Sequence, residues 1–349
     1  MKTLLRPRSL VSLAVSALWL TSLPSPLMAN EVVKLTGAGA SFPAPLYQRW
    51  FRDYYLAHPN VRVDYQAIGS GGGVENFLGG RLDFTGSDLP LSGEDAAKAE
   101  GRVVQIPVTA GAVVMAYNLP GIDGLKLSRD ALSGIFLGKV EKWNDPLIQK
   151  ANEGVELPDR PVTLVARADS SGTTLATTRH LSAIDEEFAK TVGTTMTPVW
   201  PEVLKERGAL IRGQANAGVA AYVKAVPGAI GYVQFAYAHL TNLQMARLQN
   251  HAGELVAPNS ESFAAAISFL ENELHLIHEA DPLGPGSYPI LSLSWLILRK
   301  DYEDKKASAI RDVLRYSLTE GQAVADLIGY IPLSKKMIDW LLPAIAKIE

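Results

Sequence analysis

At 349 residues, 47% hydrophobic and 20% charged, the chain is long enough for two globular domains around a large core. Its formal net charge of −3 argues against a general nucleic-acid binder, which needs a basic face, so any anion must be held by local design. The absence of cysteine excludes a disulfide, a thiolate zinc site and a cysteine nucleophile.

The first 29 residues form a separate pattern. Lys2, Arg6 and Arg8 make a basic head, and residues 10–20 an apolar core of signal-peptide length, too short to span a bilayer. The run SPLMA (25–29) offers a cleavage site after Ala29, although Leu27 is larger than the usual residue at that place, which leaves the cut free to shift slightly. No cysteine adjoins it to carry a lipid anchor. Removing three basic residues leaves 30 basic (33 − 3) against 36 acidic side chains, a formal charge of −6. The expectation is an exported, soluble, periplasmic chain, since no later run is apolar enough for a membrane span.

A short strand is expected at 32–35, followed by TGAGASFPAP (36–45). Ser41 suits an N-cap and Pro43 the first helical turn. Beyond them Leu46, Tyr47, Trp50, Phe51, Tyr54 and Tyr55 recur at helical spacing and form one apolar, core-facing stripe. The glycine-rich turn reads equally as a tight connection or as a mouth with free donors. Val61, Val63 and Tyr65 alternate as a strand, and GSGGG (69–73) leads to a helix from Val74. No Gly-Lys-Ser/Thr follows, so this is no nucleotide phosphate loop, and Ile68 stands where a nucleophile elbow needs glycine. LDFTGSDLP (82–90) reads as a strand ending in a polar turn that Asp88 either closes or exploits.

Residues 106–117 are a long extended segment, 128–137 a helix stopped by Gly138, and WNDP (143–146) a turn. Residues 162–166 form a buried strand that runs through Arg167 into the turn DSSG (169–172), with a helix starting near Thr173. A strand feeding a helix through such a turn aims free N–H groups and the positive end of the helix dipole at one spot, beside the arginine fork. That describes an oxyanion site, or an ordinary capped helix with a surface arginine. Further on come a short helix (218–223), a turn into a strand (227–233), a helix (261–278), a second long extended segment (288–298) and two or three C-terminal helices (305–348).

Strands alternate with helices throughout, so the fold class is α/β. The two long extended segments suit crossings between two lobes: a discontinuous first lobe (30–108 and 292–349) and a continuous second lobe (109–291), with a ligand cleft between. Three of the polar turns come from the first and the Arg167 turn from the second. None of the six histidines (His58, His180, His239, His251, His275, His278) lies in these turns, which argues against a serine hydrolase. His275 and His278 share a helix face but read as surface residues, so no metal and no cofactor is expected.

Six stretches in chain order resemble the periplasmic phosphate-binding proteins of the phosphate-specific ABC transporter. They are residues 36–45, YQAIGSGGG (65–73), DFTGSD (83–88), GKVEKW (138–143), RADSSGT (167–173) and PGAIGYV (227–233). The resemblance implies two α/β lobes joined by two crossover strands, of the type II periplasmic-binding-protein kind. These close on one dehydrated inorganic phosphate and present it to the permease subunits of an ABC importer with its ATPase. It implies a monomer with no catalytic residue. Carried over by position, Ser41, Phe42, Ser70, Asp88, Arg167, Ser171, Gly172 and Thr173 form the ligand shell, and Asp169 orients Arg167. Ser41 stands where threonine is common, and Gly71 where a second serine is common. A carboxylate in an anion site is chemically sensible if the ligand carries a proton, as phosphate does near neutral pH and sulfate does not; a buried unpaired acceptor costs roughly 1–3 kcal/mol. The alternatives are a binding protein for another oxyanion or a phosphonate, or a secreted phosphate-binding protein uncoupled from transport.

Overall fold

The computed structural model describes residues 32–270 and 280–349. The expected signal peptide, the end of the helix expected at 261–278, and His275 and His278 lie outside the described residues.

The strands, in chain order, are β1 (Val33–Gly39), β2 (Val61–Ala67), β3 (Phe84–Ser87), β4 (Val103–Tyr117), β5 (Lys126–Leu127) and β6 (Thr163–Arg167). They continue with β7 (Leu210–Gly213), β8 (Ala229–Gln234), β9 (Gln244–Met245), β10 (Arg247–Gln249), β11 (Leu255–Val256) and β12 (Leu291–Arg299). One sheet runs β2-β1-β3-β12-β4-β8-β6-β7, with β9 also on β4; β11, β10 and β5 form a small second sheet. β1, β2 and β3 are parallel, and so are β6, β7 and β8. Each parallel set is linked by helices, the arrangement that βαβ units impose.

β4 joins the two sets. Its residues 103–112 pair antiparallel with β12, and 113–117 with β8. Its near-continuous apolar sequence follows from burial on both faces. Pro107 has no N–H to give a ladder, and the β4–β12 register slips there, between Ser294 and Trp295.

Several boundaries move for physical reasons. β1 extends through the glycines to Gly39, where φ is 144° and a Cβ would sit 2.7 Å from Thr85 Oγ1. The glycine run after Gly69 is the first turn of the helix Ser70–Leu78, not a loop before it. A side chain at Gly73 would meet Thr85 Oγ1 at 2.5 Å, so the glycines let this helix press on β1 and β3. The helix expected at 218–223 spans Ala215–Ala225. Ser41 does not cap the helix Ala44–Ala57; Pro43 holds that position without a side-chain cap, because the Ser41 hydroxyl is engaged elsewhere. Of the aromatic stripe, Leu46, Tyr47, Trp50, Phe51 and Tyr54 are buried, whereas Tyr55 is exposed.

Candidate functional site

In a parallel sheet ligands collect beyond the carboxyl ends of the strands. Here β1 ends before Ser41, β2 before Ser70, β3 before Asp88, β6 at Arg167 and β7 before Ala215. The turns from the two parallel sets meet. The Gly71 N–H donates to the Ser170 carbonyl at 3.2 Å, and Asn216 reaches Ser41. A Cβ on Gly172 would lie 2.5 Å from Asp88 Oδ2. All eight residues of the expected shell are buried, with Asp88 and Arg167 each 3% exposed.

Arg167 is fixed on three sides. Its Nε donates to Asp169 Oδ1 at 2.9 Å, its Nη2 to Asp169 Oδ2, and its Nη1 to Thr173 Oγ1 at 3.3 Å. The bidentate pairing holds the guanidinium plane rigid. Asp169 fits because Gly69 opposite it, at φ 93°, has no side chain; a Cβ there would meet Ser170 O at 2.8 Å. Gly71, the departure noted in the sequence, has the same explanation: a Cβ would lie 2.6 Å from that of Ser170, which fills the space a second serine would need.

The ion pair is neutral as a unit, so an anion in this cage depends on oriented donors. These are the hydroxyls and the first-turn N–H groups of the helices Ser70–Leu78 and Gly172–Ile184. Ser171 caps the second of these by accepting from Thr174 N at 3.1 Å, which leaves its O–H to donate. Phe42 lies just before the helix Ala44–Ala57; its carbonyl accepts from Tyr330 Oη at 2.6 Å and its ring meets that of Tyr330 edge-on.

Asp88 is the exception among the donors. Its Oδ1 accepts from Ser294 Oγ at 3.0 Å and its Oδ2 from Ser70 Oγ at 3.4 Å. Burial pushes its carboxyl up to about 7, although the Ser294 hydroxyl, the Arg167 charge and the Ser70 hydroxyl each pull it down. A group with that balance takes up or shares a proton near neutral pH, so it can accept an O–H from a ligand.

The structure adds residues that sequence reasoning missed. Asn216 bridges Ser41 and Thr173. Ser294 stands where the β4–β12 register slips and supports Asp88. Tyr232 Oη accepts from the Arg167 N–H at 3.0 Å and pairs with Thr174 Oγ1, while Tyr237 Oη donates to the Ser41 carbonyl at 2.7 Å. Of these, Tyr232 lies in the stretch 227–233 that the sequence singled out, and Ser294 left a fainter local signal. Among the described residues no group of three or more His, Asp and Glu side chains is placed to hold a metal ion. No helix of the described residues is long and apolar enough to cross a membrane.

Known proteins resemble this chain over most of its length. The model of the PBP superfamily domain matches residues 25–320. The phosphate-binding protein PstS of Pasteurella multocida is 38% identical over 317 residues, 89% of each chain. The PstS protein of Methanocaldococcus jannaschii is 36% identical over 350 residues, covering 94% of this chain and 90% of its own. A solved phosphate-binding protein from Stenotrophomonas maltophilia superposes with a TM-score of 0.67 at 21% identity, over 89% of this chain and 93% of its own. That likeness bears on the fold alone, and it is the two-lobed α/β periplasmic-binding-protein fold.

Proposed function

The chain belongs to the PBP superfamily, among its PstS phosphate-binding proteins, and on that premise we propose that it binds inorganic phosphate in the periplasm and delivers it to the permease of an ABC importer. The observation that carries the ligand is Asp88, a buried carboxylate facing Gly172 inside a cage of N–H and O–H donors. Monohydrogen phosphate offers acceptor oxygens to every donor and one O–H to Asp88. Sulfate offers acceptors only, and leaves an oxygen against the carboxylate. The ligand shell is then Ser41, Phe42, Ser70, Asp88, Arg167, Ser171, Gly172 and Thr173, with Asp169 as the partner of Arg167. The lobes are residues 30–108 with 292–349, and 109–291, and they close over the anion by bending at β4. The cage serines have no histidine beside them among the described hydrogen bonds, so the proposed activity is binding without turnover.

One observation favours a second reading. A cavity of about 480 Å³ adjoins the cage at Ser70 and Gly71, rimmed by Leu89, Pro90 and Met196, and would accept the substituent of a phosphonate or phosphate ester. Calorimetric titration of the mature protein, stripped of anion, tests both at pH 8 with phosphate, sulfate and methylphosphonate. One-to-one phosphate binding with no sulfate heat is the expected result. Tighter binding of methylphosphonate supports the second reading, and binding of none of the three overturns both.

A further inference from the structure

We propose that Asn216 is a positioning residue that commits the hydroxyls of Ser41 and Thr173 to donate their protons to the bound anion, and that it latches the two sets of turns together. This rests on the anion-binding reading above. The orientation of the amide is forced by the backbone. The Gln234 N–H donates at 2.9 Å to one end of the Asn216 side chain, which must therefore be Oδ1. The other end is Nδ2, and its two hydrogens go to Ser41 Oγ at 2.9 Å and Thr173 Oγ1 at 3.1 Å. Each hydroxyl receives a second donor: the Asn216 backbone N–H at 3.1 Å on Ser41, and Arg167 Nη1 at 3.3 Å on Thr173. A hydroxyl oxygen has two lone pairs and one hydrogen. With both lone pairs engaged, Ser41 and Thr173 have only an O–H left to give.

Two groups that would otherwise rotate freely become fixed donors. Neither can take the ligand's own proton, so that proton is directed to Asp88. The latch follows from the same contacts. Ser41 belongs to the β1–β3 set, whereas Asn216, Thr173 and Gln234 belong to the β6–β8 set. Asn216 is delivered by a left-handed residue, Ala215 at φ 57°, a conformation that a residue with a Cβ rarely adopts. Asp169 Oδ1 holds it by accepting the Ala215 N–H at 3.0 Å. The carboxylate that orients Arg167 thus also presents Asn216.

The test compares phosphate dissociation constants of the full mature chain and two variants at pH 8 and pH 5.5, with thermal melts of the anion-free proteins alongside. Asn216→Asp places a carboxylate that accepts the Ser41 and Thr173 protons and repels the anion. It should bind phosphate at least about 100-fold more weakly than wild type at pH 8. That deficit, taken as the ratio to wild type at each pH, should shrink severalfold at pH 5.5 as the introduced carboxylate is protonated. The ionisable groups that share partners with this position are Asp169, which accepts the Ala215 N–H, Arg167, which shares Thr173 Oγ1, and Tyr237, which donates to the Ser41 carbonyl, with Asp88 beyond them. Asn216→Ala frees both hydroxyls to rotate and should weaken binding about tenfold at both pH values. If the acidic variant fails to fold, the alanine variant carries the test. Variants within twofold of wild type, or a deficit in Asn216→Asp that ignores pH, overturn the role of Asn216. Absence of phosphate binding in wild type overturns the functional reading instead.

Discussion

The two parallel strand sets have the same local design and contribute opposite chemistry. The β1–β3 set brings Ser41, Phe42 and Ser70 as neutral donors and Asp88 as an acceptor, with no cation of its own in the cage. The β6–β8 set brings the Arg167–Asp169 pair, two helix starts and Asn216. In the proposed site, one side therefore supplies the guanidinium and its oriented N–H donors, and the other the carboxylate that asks whether the anion carries a proton. On that reading affinity and discrimination are drawn from different halves.

The largest expected break in this comparison is Arg167→Ala. It removes the only guanidinium in the cage and leaves Asp169 buried and uncompensated, a change worth about 3–5 kcal/mol. Phosphate affinity should fall by more than about 100-fold in calorimetry; an unchanged dissociation constant would remove Arg167 from the site. The opposite half is probed through proton uptake. With its carboxyl at about 7, Asp88 is ionised at pH 8.5 and protonated at pH 5.5, where its O–H can donate to sulfate. Sulfate binding should therefore strengthen roughly 30-fold on acidification over that range. In Asp88→Asn the sulfate profile should flatten, and discrimination against sulfate should weaken more than phosphate binding does. An unaltered phosphate-to-sulfate preference in that variant would refute the proton-reading role.

The seam between the halves gives a smaller effect. Gly172→Ala drives a methyl group to within 2.5 Å of Asp88 Oδ2, and overpacking of this kind costs about 1–3 kcal/mol. Phosphate affinity should drop about tenfold, chiefly through a faster off-rate in stopped-flow. The smallest expected change is Ser294→Ala, which removes one hydrogen bond to Asp88, worth about 1 kcal/mol, and lets its carboxyl rise further. The acid onset of sulfate binding should then move to higher pH; an onset at the wild-type position would show that Ser294 does not tune Asp88.

What could be read from the sequence was what is local. Asp169-Ser170-Ser171-Gly172 announces a capped helix start, and Ser171 does cap it. Ser41 looked like a cap by the same logic, yet a partner 175 positions away claimed its hydroxyl. The glycine run at 71–73 looked like a loop because glycine weakens helices; here close approach to β1, β3 and Ser170 outweighs that preference. Asn216 was invisible because nothing in Gln214-Ala215-Asn216 advertises a left-handed residue. Ser294 left a faint signal. Leu291-Ser292-Leu293-Ser294 alternates like a strand with one solvated face, but β12 lies mid-sheet, so its serines point into protein. A polar residue on a doubly covered strand needs a partner, and Asp88 is that partner.

The sharing of β4 limits how the molecule can move. Nine residue pairs tie it to β12 and five to β8. Sliding one half past the other would break one of these ladders whole, and the slip at Pro107 supplies no spare pairing to absorb it. Bending and twisting about the strand remain. Any relative motion of the proposed lobes then has few degrees of freedom, and a distance between probes flanking Ser70 and Met196 reports its bending component. For a chain with no native cysteine, two introduced thiols suffice to read it.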